Sequence, residues 1–175
     1  MGPRATLKRM SESLEEPLVT SSEAVTAGVR VRVRARYSAA HSNPGDSQWF
    51  FLYEIRISNE GDATVQLTDR HWIIIDGSGR TEEVRGEGVV GKQPVLGPGE
   101  SFEYTSGCPL NTPFGSMAGT YRMQREDGTE FQAEIGLFEL VEPVQIPVVV
   151  VMKGVGHLHH QFGTIIKTVL VQGVQ

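Results

Sequence analysis

The sequence has little cysteine, no excess of basic charge and no long apolar segment, and each of these absences excludes a class of protein. Its 175 residues include a single cysteine, Cys108, so no internal disulfide forms and a reducing compartment is allowed. The net charge of -5 gives no general attraction to nucleic acid. The longest apolar run, 148–152, is far shorter than the ~20 residues that span a membrane. We therefore expect neither a nucleic-acid partner nor a membrane partner.

The N-terminal segment also lacks a secretory signal. Residues 1–24 are polar, have no hydrophobic period and contain no apolar core like that of a signal peptide. Gly2 and Thr6 stand at the spacing of a myristoylation motif, but Pro3 directly after the glycine argues against it. Acidic residues argue against an organellar transit peptide without excluding one, namely Glu12, Glu15 and Glu16. We predict a flexible arm over 1–24 and a cytoplasmic protein.

Most of the chain alternates between apolar and polar residues, which is the pattern of a β-strand with one buried face. The clearest case is 28–37, where valine or alanine alternates with arginine. Turn signals rich in glycine, proline and asparagine separate the strands, and no amphipathic helix is evident. The further strands are predicted at 48–58, 65–76, 81–84, 100–106, 117–125 and 129–137. About seven short antiparallel strands with frequent turns predict an all-β fold over 25–147, either a β-sandwich or a barrel.

Two strands allow more detailed expectations. The arginines of 28–37 should face solvent, and Glu130 and Glu134 of the last predicted strand are candidate partners for them. The apolar residues of that last strand should face the core, namely Phe131, Ala133, Ile135 and Leu137.

A glycine-rich loop follows the hairpin of 65–84. Gly86, Gly88 and Gly91 match the G-x-G-x-x-G spacing of dinucleotide-binding loops, in which the loop follows a strand and opens a helix. The next residues, 92–94, end in a proline, which disfavours a helical residue before it. The context of a Rossmann site is therefore missing.

Two interpretations of this loop remain open. In the first, a nest of backbone N–H groups binds a small anion with help from Arg85 and Lys92. In the second, the loop needs glycine only for positive φ or close packing.

Other reactive side chains carry weak signals. We interpret His71, which stands beside Trp72 on a predicted strand, as structural. Cys108 precedes a proline, so no helix N-terminus lowers its pKa, and we expect an inert thiol. No nucleophile–base pair or metal–water site can be assembled from the sequence, so an enzyme is the least supported class.

The C-terminal extension, 148–175, has no acidic residue and differs in composition from the strands before it. It contains three histidines that are weak candidates for binding a transition metal in pairs, since no carboxylate or cysteine stands near them. They are His157, His159 and His160. A histidine-rich tail without a metal is the alternative interpretation.

Several segments, in order, resemble the ApaG family: EVRGEGVVG, LGPGESFEYTSGCPL and GSMAGTY. The resemblance runs from about residue 25 to residue 143 and implies a fibronectin type III-like β-sandwich. ApaG domains occur as small bacterial proteins and as modules of eukaryotic F-box and polymerase-delta-interacting proteins, where they are thought to mediate protein–protein contacts. Bacterial members are linked to cobalt and magnesium efflux. The resemblance implies no enzymatic mechanism, and 148–175 departs from the family pattern.

The sequence therefore predicts a non-enzymatic protein–protein interaction module with an unidentified protein partner and no cofactor. Its binding surface should combine 106–119, where regular alternation is lost, with the loop 85–95. The candidate residues of that loop are Arg85, Gly86, Gly88, Gly91 and Lys92. The alternative is a sensor of pyrophosphate or a nucleotide polyphosphate on the same loop, linked to cobalt and magnesium homeostasis. A third hypothesis is a metal-binding histidine tail.

Overall fold

The computed structural model describes residues 17–144, which form two antiparallel sheets packed face to face. The strands are β1 (Val19–Thr26), β2 (Val29–Tyr37), β3 (Trp49–Asn59), β4 (Val65–Asp76), β5 (Thr81–Glu87), β6 (Val95–Leu96), β7 (Ser101–Leu110), β8 (Phe114–Arg125) and β9 (Glu130–Val141). The first sheet has the order β1-β2-β3-β7, and the second has the order β5-β4-β8-β9, with β6 also paired to β4. The predicted all-β sandwich is confirmed. In this part of the chain, no helix is long and apolar enough to cross a membrane.

Strand β1 lies within the segment that the sequence predicted to be a flexible arm. The prediction is wrong for residues 19–24, because β1 pairs along its whole length with β2, from Val19 opposite Arg36 to Thr26 opposite Val29. Residues 1–16 and the extension 148–175 lie outside the described residues.

The inward face of β1 explains why its pattern was missed. Its residues are serine, threonine and alanine rather than large apolar residues, so hydrophobic alternation does not mark the strand. The hydroxyl groups instead reach the backbone of β9, the edge strand of the other sheet. Three hydrogen bonds form this seam: Thr20 Oγ1 to the carbonyl of Glu139, Ser22 Oγ to the carbonyl of Gly136 (2.7 Å), and the amide of Glu134 to Thr26 Oγ1 (3.0 Å).

The core lies between the two sheets, and β2 shows how the sequence builds it. Its valines and Ala35 are buried, while the arginines between them face solvent. Deeper in the core, the Trp72 ring makes edge-on contacts with three other aromatic rings. These are the rings of Tyr53, Tyr121 and Phe138, with centroid distances of 5.5, 6.3 and 6.1 Å. Burial of each large apolar side chain stabilises the fold by about 1.5–3 kcal/mol.

A β-bulge in β9 changes which residues face the core. Met117 pairs with Phe138 and Gly119 pairs with Ile135, so two residues of β9 lie opposite one residue of β8. The phase of alternation therefore shifts by one position. Phe138 is buried and Leu137 is exposed, so the prediction of an inward Leu137 is wrong, while Ile135 is buried as predicted.

The arginines of β2 face solvent as predicted, but their ionic partners differ. Arg30 pairs with Glu23 of β1 and with Glu60, which follows β3. The predicted partners Glu130 and Glu134 belong to β9 in the opposite sheet, so that prediction is wrong. Exposed ion pairs of this kind contribute little to stability.

Candidate functional site

The outer face of the second sheet carries a patch of apolar side chains. The sequence places three isoleucines in a row on β4, and alternation directs only the middle one, Ile74, toward the core. Ile73 and Ile75 therefore face outward with exposed fractions of 36% and 37%. Ala118 of β8 pairs with Ile73, and the bulge brings out Leu137, which is 61% exposed. We call Ile73, Ile75, Ala118 and Leu137 the apolar face.

The groove on the apolar face is shallow and open to solvent. Ile73, Ala118 and Leu137 line one open groove of about 470 Å³ together with polar side chains, which include His71 and Glu134. A flat apolar surface with a polar boundary suits contact with another macromolecule better than enclosure of a small substrate.

Ionic groups border the apolar face on the side of β5. His71 Nε2 lies 2.8 Å from Glu83 Oε2, and an Arg85 guanidinium nitrogen lies 3.1 Å from the same oxygen. The hydrogen bond from His71, followed by that from Arg85, holds the pKa of Glu83 below its usual value. Arg85 is therefore part of this border, and its charge is partly neutralised there.

Gly86 lies in β5 rather than in a loop, and its role is one of packing. A Cβ atom at this position would lie 3.0 Å from the guanidinium of Arg70. The Arg70 side chain crosses β5 over this glycine and donates from Nη1 to the carbonyls of Glu87 (2.9 Å) and Gly88 (2.7 Å). A larger residue would obstruct this crossing.

Gly88 and Gly91 satisfy backbone requirements. Gly88 has φ of +58°, and a Cβ atom there would lie 2.2 Å from the carbonyl oxygen of Lys92. Val90 and Gly91 have φ of 44° and 75° and form the centre of a tight turn closed by Val89 and Lys92. Positive φ at both central positions is typical of a type I′ turn and favours glycine. This geometry supports the second interpretation of the loop.

The loop has few amides left for an anion. The amide of Gly88 donates to the carbonyl of Thr68 (2.8 Å), and the amides of Val89 and Lys92 donate across the turn. An anion nest needs successive N–H groups that point to one place. Lys92 lines a different open groove, of about 650 Å³, with residues 93–96 and 100–102. The structure thus places Arg85 and Lys92 on different surfaces.

The segment 106–119 is more regular than predicted. Strand β7 continues to Leu110 and β8 begins at Phe114, so the prediction that this segment is irregular is wrong except for residues 111–113. Alternation is lost because glycines replace side chains where other groups come close. A Cβ atom at Gly107 would lie 2.2 Å from the ring of Phe50, and one at Gly119 would lie 2.1 Å from the carbonyl oxygen of His71.

Reactive groups within residues 17–144 do not form a recognisable catalytic site. Cys108 is buried, and this burial raises the pKa of its thiol to about 12, so the reactive thiolate is disfavoured. Ser38 Oγ lies 2.7 Å from His41 Nδ1, but Ser38 is only 6% exposed and no carboxylate of these residues contacts His41. The same residues contain no group of three or more side chains suited to hold a metal ion. The candidate ligands His157, His159 and His160 lie outside the described residues.

Sequence reasoning missed the apolar face because each signal was ambiguous. Three successive isoleucines hide the alternation of β4, although a strand with one buried face must turn some of them outward. Leu137 fitted the alternation of a buried face, and only the bulge sets it apart. An apolar residue next to Gly136 was the available sign of a bulge.

This two-sheet sandwich is the fold of an ApaG domain. The sequence profile described as the ApaG domain matches residues 39–125. Protein ApaG of Methylorubrum populi is 56% identical over 121 residues, which cover 69% of this chain and 93% of that protein. Protein ApaG of Anaeromyxobacter dehalogenans is 55% identical over 122 residues, which cover 70% and 96%. The chain belongs to the ApaG family.

A solved structure agrees with this assignment. The crystal structure of an ApaA protein from Bordetella pertussis is 51% identical and superposes with a TM-score of 0.64. The alignment covers 66% of this chain and 94% of that protein. None of these names states a catalytic activity.

Proposed function

We propose that this ApaG-family protein is a non-enzymatic protein-interaction module whose binding surface is the apolar face. The observation that supports this function is the exposure of Ile73, Ile75 and Leu137 on the outer face of one sheet, where Ala118 of β8 lies between Ile73 and Leu137. Apolar side chains that adjoin on one exposed surface and have a polar border are characteristic of protein interfaces. Covering the parts of these side chains that are still exposed contributes about 25 cal/mol per Å² of apolar surface, which makes the patch the energetic centre of the proposed interface.

The polar border supplies the specificity that an apolar patch lacks. The cluster of His71, Glu83 and Arg85 bounds the face on one side, and Glu134 lies on the other. A partner must match this arrangement of charges as well as the apolar centre, because unmatched charges across an interface disfavour association. Arg85 thus keeps the binding role that its sequence context suggested, although its neighbours are those of a sheet face.

A crosslinking pull-down from the native cell tests this function. Ile73→Lys and Leu137→Lys each place a charge in the centre of the face and should lower partner recovery at least tenfold. The matched control is Val25→Lys, since Val25 is 51% exposed on the outer face of the other sheet. Circular dichroism should show an unchanged fold for all three variants. Equal recovery by wild type and the two face variants would remove the apolar face as the binding surface.

The alternative, a sensor of pyrophosphate or a nucleotide polyphosphate, has fewer candidate contacts to support it. Lys92 and the amides of Val90 and Gly91 share one turn and form the remaining candidate contacts. Calorimetric titration with pyrophosphate, ATP and diadenosine tetraphosphate decides this case. Heat that disappears in Lys92→Gln would support it, and no heat at about millimolar ligand would count against it.

A further inference from the structure

Strand β5 forms one edge of the second sheet, and its hydrogen-bonding phase can be determined. In an antiparallel pair, every second residue exchanges both backbone bonds with its neighbour, and the residues between point away. The amide of Asp76 donates to Arg80 (3.0 Å), and the amide of Gly88 donates to Thr68 (2.8 Å), one pair at each end of β5. With the β4–β5 register, these bonds direct residues 82, 84 and 86 toward β4. The backbone groups of Thr81, Glu83, Arg85 and Glu87 therefore point away from the sheet.

Arg70 closes one end of this free edge. Its guanidinium crosses over Gly86 and binds the carbonyl oxygens of Glu87 and Gly88. No backbone group of residues 17–144 binds the outward groups of Thr81, Glu83 and Arg85. The available stretch is thus 81–85, long enough to pair with about five residues of another strand.

Two other edge strands of the sandwich, β9 and β7, carry protective features that β5 lacks. The outward backbone groups of β9 are occupied, because they bond to the side-chain hydroxyls of β1 in the seam. The outer edge of β7 includes Pro109, which has no N–H to offer. Exposed edges of this kind normally carry such protection because they are templates for another strand. The exposed stretch 81–85 has neither a covering hydroxyl nor a proline.

The side chains of β5 indicate the chemistry of its partner. The strand has three glutamates and one arginine, a net charge of -2, and its glutamates are exposed. Glu83 already binds His71 and Arg85, whereas Glu82 has no ionic partner within the described part of the chain. A second copy of this strand is disfavoured in the antiparallel register centred on Glu83, because that register sets two carboxylates opposite each other. A basic segment is favoured by charge.

We propose that β5 binds an extended peptide segment with alternating aliphatic and basic residues, which adds a strand to the second sheet. The aliphatic side chains of the peptide lie on the side of Ile73 and continue the apolar face, since Ile73 pairs with Glu83 of β5. The basic side chains lie on the opposite side, beside Glu82. Main-chain hydrogen bonds to Thr81, Glu83 and Arg85 provide affinity, and the two side-chain rows provide specificity. This inference rests on the proposed function, since the added strand is a segment of the partner protein.

The test uses the full chain and a dye-labelled, end-blocked peptide of seven alternating lysine and valine residues. Nuclear magnetic resonance should show that the amides of Thr81, Glu83 and Arg85 gain at least tenfold protection from hydrogen exchange. The amides of Glu82 and Val84 should change little, because they already bind β4. Protection that appears elsewhere, or no protection at saturating peptide, would overturn the proposal.

Two variants examine the same edge by fluorescence anisotropy. Glu83→Pro removes an outward N–H without removing a bond to β4, and it should weaken peptide binding at least tenfold. Glu82→Lys should weaken binding by charge, and the matched control Glu126→Lys, in an exposed turn of the second sheet, should not. Unchanged binding by Glu83→Pro, with an intact circular dichroism spectrum, would contradict strand addition. Protection of the edge amides in a peptide-free dimer would instead identify a second copy as the occupant and overturn the proposal.

Pull-downs of the native partner separate this inference from the proposed function. Recovery by Glu83→Pro together with loss by Ile73→Lys would reject the added strand and leave the interaction module standing. Recovery by both variants would reject both. Loss by both, with intact folds, is the result we expect.

Discussion

Substitution of Tyr121 by phenylalanine should destabilise the domain by about 1–3 kcal/mol, although it deletes only one oxygen atom. The hydroxyls of Tyr121 and Tyr104 lie 2.5 Å apart in the buried core, where they bind each other. Without the Tyr121 hydroxyl, the Tyr104 hydroxyl remains buried and loses its partner. The expected cost is therefore the desolvation penalty of an unsatisfied group rather than the smaller net value of one hydrogen bond.

A double-mutant cycle makes this reasoning quantitative. Tyr104→Phe should cost a similar amount, but the combination of Tyr104→Phe and Tyr121→Phe should cost clearly less than the sum, because no unsatisfied hydroxyl is left. We expect a coupling free energy of about 1–2 kcal/mol from urea unfolding curves with unchanged slopes. Additive effects within about 0.5 kcal/mol would refute the account, since they would show that the two hydroxyls do not depend on each other.

Two further predictions follow from other buried polar groups. Alkaline pH should lower the free energy of unfolding, because burial raises the pKa of Cys108 to about 12. The stabilisation from the neutral buried thiol is full below an unfolded pKa of ~8.5 and is lost as the pH rises toward about 12. The difference between wild type and Cys108→Ala should change by up to about 1.4 kcal/mol per pH unit in this window, and parallel curves would contradict the prediction. Asn59→Ala should cost about 2–4 kcal/mol in thermal unfolding, because the buried amide group donates to two backbone carbonyls and accepts from one backbone amide. An effect no larger than that of the half-exposed control Ser58→Ala would show that these bonds contribute little.

The sandwich was predictable because its long strands alternate apolar and polar residues, as a strand with one buried face requires. Strand β2 alternates valine with arginine, and each valine is buried as the pattern predicts. Strand β1 was missed because its inward hydroxyls satisfy backbone groups of β9 instead of filling the core. The outward position of Leu137 depends on a bulge whose register involves β8 as well as β9. The periodicity of one strand cannot reveal a bulge, because a bulge is defined by the pairing of two strands.

The candidate site was less predictable, since it depends on register. The sequence suggested two roles for the glycine loop, and the structure supplies contacts for the structural role. The contact between Gly86 and Arg70 arises because β4 and β5 set these residues opposite each other. The apolar face joins residues from β4, β8 and β9, so no single stretch of sequence displays it. The outward amides of β5 likewise become visible only when both ends of its pairing are known.

The seam between β1 and β9 has a consequence for synthesis of the chain. Its hydrogen bonds join residues separated by 119, 114 and 108 positions, so these bonds cannot form until nearly the whole domain has left the ribosome. Until then a nascent chain presents an open ribbon of backbone to its neighbours, the condition that recruits chaperones and favours aggregation. A chain truncated before residue 134 should therefore be degraded or insoluble rather than fold into a smaller domain.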